Sequence, residues 1–321
     1  MFTNSYPDSA AARDRWILQQ RPPRNRLDPR TAYASLVEQE PGPSGIPADV
    51  VTIFLTNREC PWRCLMCDLW RNTLEETVPD GAITSQIREA LAGFPEVVPE
   101  RAQLKLYNAG SFFDPRAIPP AEQGEIARLA SPFGRTIVEC HPAMVGDRCP
   151  RFRDLLGKPL EVALGLETAH PEILDRLNKR MTLDQFRRAA EFLRGHGIGV
   201  RVFILLRPPW LSEEEGVEWA NRSLDFAFDC GATVCSIIPT RAGNGAMDAL
   251  AATGEFTPPR LSSLETVLEH GLSTGRGRVF ADLWDIDLLP QCPSCAHARV
   301  ERIRRMNMTQ LIPEPVRCLD C

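Results

Sequence analysis

Val50-Val51-Thr52-Ile53-Phe54-Leu55 is followed after a short gap by Cys60-Pro61-Trp62-Arg63-Cys64-Leu65-Met66-Cys67. The first run is continuously apolar but for one threonine and reads as a buried β-strand. The second offers three thiols in the spacing C-x3-C-x2-C. Ligands and chemistry collect at the carboxyl ends of strands in α/β folds, where this loop sits. Thiolates favour iron–sulfur clusters, zinc or copper(I). A [4Fe–4S] cube ordinarily takes four cysteines. Three would leave one iron with a position open for chemistry.

Outward from this strand, short apolar runs alternate with amphipathic stretches. Further strands are expected at Gln103 to Tyr107, Arg135 to Glu139, Glu161 to Leu166, Gly199 to Leu206 and Ala232 to Ile238. Thr182 and Ser212 each begin a capping box that opens a helix, and Pro171 suits a helix first turn. Such alternation indicates an α/β fold with a parallel sheet and helices outside it. The number of units points to a partial (β/α)6-type barrel, with an open doubly wound sheet as the alternative.

The flanks read differently. Residues 1–48 form an N-terminal arm and linker: Arg13, Arg15, Arg21, Arg24, Arg26 and Arg30 make a basic stripe, and Glu40 to Pro47 is rich in Pro and Gly. A solvated flexible arm is preferred over a nucleic-acid contact. Residues 49–274 form the barrel. Residues 275–321 form a small metal-bound appendix in which Cys292-Pro-Ser-Cys295 and Cys318-Leu-Asp-Cys321 close a four-thiolate site. Zinc is the first choice there and a second iron–sulfur cluster the runner-up. Arg299, Arg302, Arg304 and Arg305 lie between the knuckles, either as a phosphate grip or as a solvated helix face.

The bulk numbers set limits. The chain has 321 residues, 43% apolar and 25% charged, with net charge −5. That excludes a global electrostatic signature of nucleic-acid binding. No secretory signal or membrane span is apparent, so the chain reads as cytoplasmic and not membrane-bound. Eleven cysteines in a reducing compartment argue for metal binding over disulfides. Cys140, Cys149, Cys230 and Cys235, outside the clusters, read as small buried hydrophobes.

The C-x3-C-x2-C loop after a first barrel strand resembles the radical S-adenosylmethionine superfamily. The resemblance implies a [4Fe–4S] cluster on Cys60, Cys64 and Cys67, with S-adenosylmethionine chelated at the open iron. It also implies an electron donor such as a flavodoxin or ferredoxin, reductive cleavage of the cofactor, and abstraction of a hydrogen atom from substrate. Met66 stands where the family usually has an aromatic residue, and a methionine also packs against an adenine.

Further cofactor contacts are expected at the strand ends. Asn108, Gly110 and Ser111 occupy the turn that takes the methionine amine in the family, although an ordinary tight turn would use Gly110 equally. Glu139 and Glu167 end the third and fourth strands. Each needs a partner there, either the cofactor or a cation such as Lys179 or Arg180. Arg207 ends the fifth strand, as a clamp for a carboxylate or phosphate or as a rim charge.

Y-N-A-G-S-F, V-E-C-H-P, G-L-E-T-A, L-L-R-P-P-W-L-S-E and G-E-F-T-P-P resemble, within the elongator/methylthiotransferase-like branch, the archaeosine synthase radical subunit and its relatives. This implies a modified nucleobase in tRNA as substrate. A small metabolite or a peptide is the enzymatic alternative, and a non-catalytic iron–sulfur or zinc redox-sensing protein is the rival from another class.

Overall fold

The computed structural model describes residues 6–320. Its main sheet has eight strands in the order β1-β2-β5-β6-β7-β8-β9-β10. These are β1 (Ala34–Pro41), β2 (Pro47–Leu55), β5 (Gln103–Asn108), β6 (Arg135–Cys140), β7 (Leu160–Glu167), β8 (Gly199–Leu206), β9 (Val234–Pro239) and β10 (Arg278–Ala281). A separate ribbon pairs β3 (Asn57–Arg58) with β4 (Thr73–Leu74). From β2 to β10 every pairing in the main sheet is parallel, and β1 runs antiparallel on the β2 edge. All six expected strands are present. Every residue of β7 is buried, as a parallel strand covered on both faces requires.

Helices cover the outer face. Leu183–Gly195 and Glu213–Asp229 begin with the capping boxes read from Thr182 and Ser212, and Pro171 opens the short helix Pro171–Arg176. No helix among the described residues is long and apolar enough to cross a membrane.

The flanks depart from expectation. Glu40 to Pro47 is the turn of a hairpin rather than a linker: β1 pairs with β2 from Ala34↔Phe54 to Pro41↔Pro47. The basic arm is not a solvated tail either. Ala10–Gln20 is a helix whose Trp16 and Ile17 are buried in a cluster with Leu65, Leu177 and Met247. Arg13 is buried and donates to the Asp175 carboxylate at 2.8 Å, while Arg15, Arg26 and Arg30 are exposed.

Nor is the C-terminal part an appendix. It supplies β10 and the helix Ala296–Thr309, which touches both β1 and β10 and so lies over the seam of the unclosed sheet. The outer edge of β10 would otherwise present unpaired backbone groups. Asn307 accepts from Ala281 N (2.9 Å) and donates to its carbonyl (2.8 Å), and Gln310 does the same for Val279 (2.8 and 3.0 Å). Arg299 and Arg302 do not form a phosphate grip. Both pair with Glu265 on the neighbouring helix Leu261–Ser273, Arg302 at 2.8 Å. Arg304 and Arg305 are exposed.

The amino-terminal end of the barrel is plugged by charge. Arg201, fully enclosed, bonds Glu161 at 2.7 Å and Glu40 at 2.9 Å, and Lys105 bonds Glu38 at 2.8 Å and also Glu40. The two cations hold Glu40 down to about 2 against the upward push of burial. Above this floor the interior opens. Phe54, Tyr107, Glu139, Phe203 and Ser236, one inward position from each of five strands, are only half-buried, while their strand neighbours are mostly buried.

Candidate active site

The cysteine loop crosses the carboxyl ends of the strands and is held by groups from other crossover connections. Asn178 Nδ2 donates to the Arg63 carbonyl (2.7 Å), and Leu65 N donates to the Leu177 carbonyl (2.9 Å). Asn244 Nδ2 donates to the carbonyls of Leu65 (2.8 Å) and Cys67 (3.1 Å). Trp62 stacks on His141 at 3.7 Å and 10°. His141 Nδ1 accepts from Ala143 N (3.1 Å), so Nε2 carries the proton and donates to the Lys179 carbonyl (3.0 Å). Burial, with Lys179 adding to it, lowers that imidazole to about 3, so the ring is neutral. These holding residues were not singled out from sequence. Asparagines and a histidine in loops carry no spacing signal, and only the fold brings them to the cysteines.

Cys64 is buried, and Cys60 and Cys67 are partly so. Burial pushes the Cys64 thiol up to about 12 and raises Cys60 and Cys67 as well. Three enclosed thiols need a cationic partner to ionise, and bound metal supplies one. Among the described residues, only Cys292, Cys295 and Cys318 bring three ligand atoms within 4.8 Å of one another.

The turn after β5 is fitted to the triad. Gly110 has φ +144°, and a Cβ there would come within 2.7 Å of Cys60 Cβ. Side-chain-free backbone is what allows the turn and the loop to touch. Next to it, the buried Asn108 has both side-chain amide atoms without a hydrogen-bond partner among the described residues. A buried amide in that state has its hydrogen-bonding capacity open to a ligand or a water. Ser111 does not share the role expected of it, because its hydroxyl is enclosed and bonds Cys140 Sγ at 3.3 Å. Cys149, Cys230 and Cys235 are buried, as is Cys140.

The two acids differ. Glu167 takes the ion-pair alternative: its Oε1 meets Lys179 Nζ at 2.6 Å, both side chains nearly enclosed. A register irregularity between Gly165 and Glu167 and a left-handed backbone at Glu167 (φ 67°) aim the carboxylate, a local strain typical of functional sites. A Cβ at Gly165 would run into both partners. Despite the opposing effect of burial, Glu167 and then Cys64 raise the pKa of Lys179, keeping it charged. Glu139, half-buried at its strand end, has no ion-pair partner among the described residues. Burial lifts it to about 8, against a backbone hydrogen bond at Asn108 and the Lys179 charge.

Arg207 does not serve as a clamp here. It bonds Glu213 (2.7 Å) and the Pro258 carbonyl (3.0 Å), bracing the connection after β8. Met66 is half-buried against the cluster around Trp16 and Leu177.

At the other cysteine set, Cys292 Sγ lies 3.9 Å from Cys318 Sγ. Four thiolates at about 2.3 Å from one zinc stand about 3.8 Å apart, so the spacing suits a single ion. The Ser294 backbone N–H foremost lowers the Cys292 thiol to about 7. The fourth expected ligand, Cys321, lies outside the described residues.

No family model matches the chain. It is similar to archaeosine synthase subunit beta of Methanosarcina acetivorans, 27% identical over 71% of this chain and 68% of that protein. An uncharacterised protein of Methanocaldococcus jannaschii is 24% identical over 81% of this chain and 76% of that one. Among solved structures, the archaeal Elp3 of Methanocaldococcus infernus shares the fold with a TM-score of 0.54 and 13% identity, over 80% of this chain. The present chain spans 63% of that structure, under two thirds of its length. The chain thus carries a three-cysteine loop at the mouth of a partial barrel, shares its fold with archaeal Elp3 and is similar in sequence to archaeosine synthase subunit beta.

Proposed function

We propose that Cys60, Cys64 and Cys67 hold a [4Fe–4S] cluster and that the chain cleaves S-adenosylmethionine reductively to abstract a hydrogen atom from a modified nucleobase in tRNA. When bound, the cluster and its cofactor supply a carbon radical; the protein's part is to place the reacting atoms and exclude water. The observation that carries the reading is the unsatisfied Asn108 amide beside the Gly110 turn that touches Cys60. Asn108 and the Gly110 backbone would hold the polar end of the cofactor.

A planar base is supported by the chamber below. Tyr33, Phe54, Tyr107 and Phe203 follow one another with ring centroids 5.6, 6.3 and 6.2 Å apart. Glu139, neutral near pH 7, would offer such a base both a donor and an acceptor. The tRNA part of the reading rests on the likeness to archaeosine synthase subunit beta. At the second cysteine set, Cys292, Cys295 and Cys318, with Cys321, would hold zinc as a closed structural site.

The test is anaerobic reconstitution followed by S-adenosylmethionine and dithionite. 5′-Deoxyadenosine should form, and Cys64→Ala should abolish it. An intact cluster that yields none would reject the enzyme mechanism. Binding of labelled tRNA should weaken as salt rises; salt-independent binding would remove the tRNA part.

A further inference from the structure

Three consecutive residues, Asn178, Lys179 and Arg180, each bond a different part of the molecule. Asn178 Nδ2 donates to the carbonyl of Arg63, the residue before Cys64, at 2.7 Å. Lys179 pairs with Glu167 at the end of β7. Arg180 Nη2 donates to the Ala10 carbonyl (2.8 Å) and to Asp14 Oδ2 (2.7 Å), both in the helix Ala10–Gln20. The first and third of these residues have left-handed backbones, φ 57° each, a conformation uncommon outside glycine. The second oxygen of Asp14, Oδ1, accepts from Asn178 Nδ2 at 2.8 Å. Asp14 is thus joined to both ends of the tripeptide and, through Asn178, to the main chain between two loop cysteines.

Donor chemistry gives this relay a direction. Asn178 is 1% exposed, and a half turn of its amide would set the oxygen where the nitrogen now stands. Only the nitrogen can donate to the Arg63 carbonyl. An ionised carboxylate accepts and never donates, so Asp14 admits the nitrogen end and repels the oxygen end. The two Nδ2 hydrogens serve Asp14 and Arg63, while Oδ1 has no partner among the described residues. The same segment of chain also fastens the loop at its start. Glu59, immediately before Cys60, pairs with Arg21 at 2.7 Å and with Arg24. Trp16 and Ile17 of the helix share a cluster with Leu65.

We propose that the helix Ala10–Gln20 completes the metal-binding site, with Asp14 as a positioning residue that fixes the Asn178 amide and, through it, the main chain between Cys60 and Cys64. The inference rests on the reading of the cysteine triad as a cluster site. Asp14 touches neither a thiol nor a reacting atom, and no bond forms or breaks at it. Its effect is to order the loop before metal arrives, as outer partners of metal ligands do.

The test compares Asp14→Ala, Asp14→Asn and Arg180→Met in the full chain. The first removes the acceptor from Asn178. The second returns an uncharged acceptor, and the third breaks the ion pair while leaving Asp14 on Asn178. After anaerobic reconstitution, Asp14→Ala should lose its loop iron to a chelator at least roughly tenfold faster than wild type. Asp14→Asn and Arg180→Met should stay near the wild-type rate. In protein prepared without iron, alkylation of the buried Cys64 should quicken in Asp14→Ala and not in the other two. Either rate unchanged in Asp14→Ala would overturn the proposal. So would an equal change in Arg180→Met, which would make the ion pair's contribution to stability the cause. A wild type that takes up no iron on the triad would instead reject the cluster reading, and alkylation would still decide the role of Asp14.

Discussion

Lys179 Nζ and Glu167 Oε1 stand 2.6 Å apart in the space where a Cβ on residue 165 would lie, and that residue is glycine. The pair is nearly enclosed, and its lysine also feels Cys64 and Cys67. Breaking such a pair from one side leaves a buried charge without compensation, at a cost of about 3–5 kcal/mol. Lys179→Met should therefore lower the melting temperature markedly. Adding Glu167→Gln should restore much of the loss by removing the stranded carboxylate. A single variant as stable as wild type would show that the pair contributes little. Gly165→Ala should be destabilising as well, since its methyl group would displace both partners.

Gly110 couples the turn after β5 to Cys60. Alanine there would need a φ of +144° and would bring its Cβ within 2.7 Å of Cys60 Cβ. Gly110→Ala should push the two segments apart and reduce the iron bound per chain by at least half. The metal at the C-terminal set should be retained. The measurement is iron and zinc content of the purified variant, and unchanged iron would refute the coupling.

Much of this arrangement was legible in the sequence, and the reasons are physical. Periodicity and capping boxes are local, so the six parallel strands and the helices after Thr182 and Ser212 could be placed. The C-x3-C-x2-C spacing is local too. What could not be read depended on distant partners. The Pro/Gly stretch at Glu40 to Pro47 has a linker's composition and becomes a hairpin because β1 finds β2. Arg207 ends a strand at the expected depth, yet Glu213 captures it. Ser111 lies in the expected turn but faces Cys140. Arg299 and Arg302 look solvated in sequence, and only the packing of two helices shows Glu265 between them. Lys179 and Arg180 stand equally near Glu167 in sequence, and the fold pairs it with Lys179.

Glu139 makes stability depend on pH. Folding lifts its carboxyl from 4.5 to about 8, so between those values the native state binds a proton that the unfolded chain has released. Stability from this group is present below pH 4.5, falls as pH rises toward 8 and levels off beyond it. Lys179, Glu167, Tyr33 and Tyr107 are the titratable groups around it. Glu139→Gln keeps a neutral group and removes the slope. Relative to wild type, the variant should gain up to about 4 kcal/mol on going from pH 4.5 to pH 8. Denaturant unfolding at several pH values measures this, and parallel curves for the two proteins would contradict it.

The C-terminal cysteines bear on the barrel through the helix that follows them. Cys295 is the residue immediately before Ala296–Thr309, and that helix presents Asn307 and Gln310 to the open edge of β10. Metal bound at Cys292, Cys295 and Cys318 would fix the start of the helix and so hold its amides on the strand. Chelation should lower the melting temperature by several degrees, consistent with about 1–2 kcal/mol in a chain of this size. Hydrogen exchange should rise first at the amides of Val279 and Ala281, which the two side chains protect. Cys318→Ser should reproduce both effects while leaving the iron on the loop triad in place. If chelation strips zinc yet leaves the β10 amides protected, the site does not support the seam.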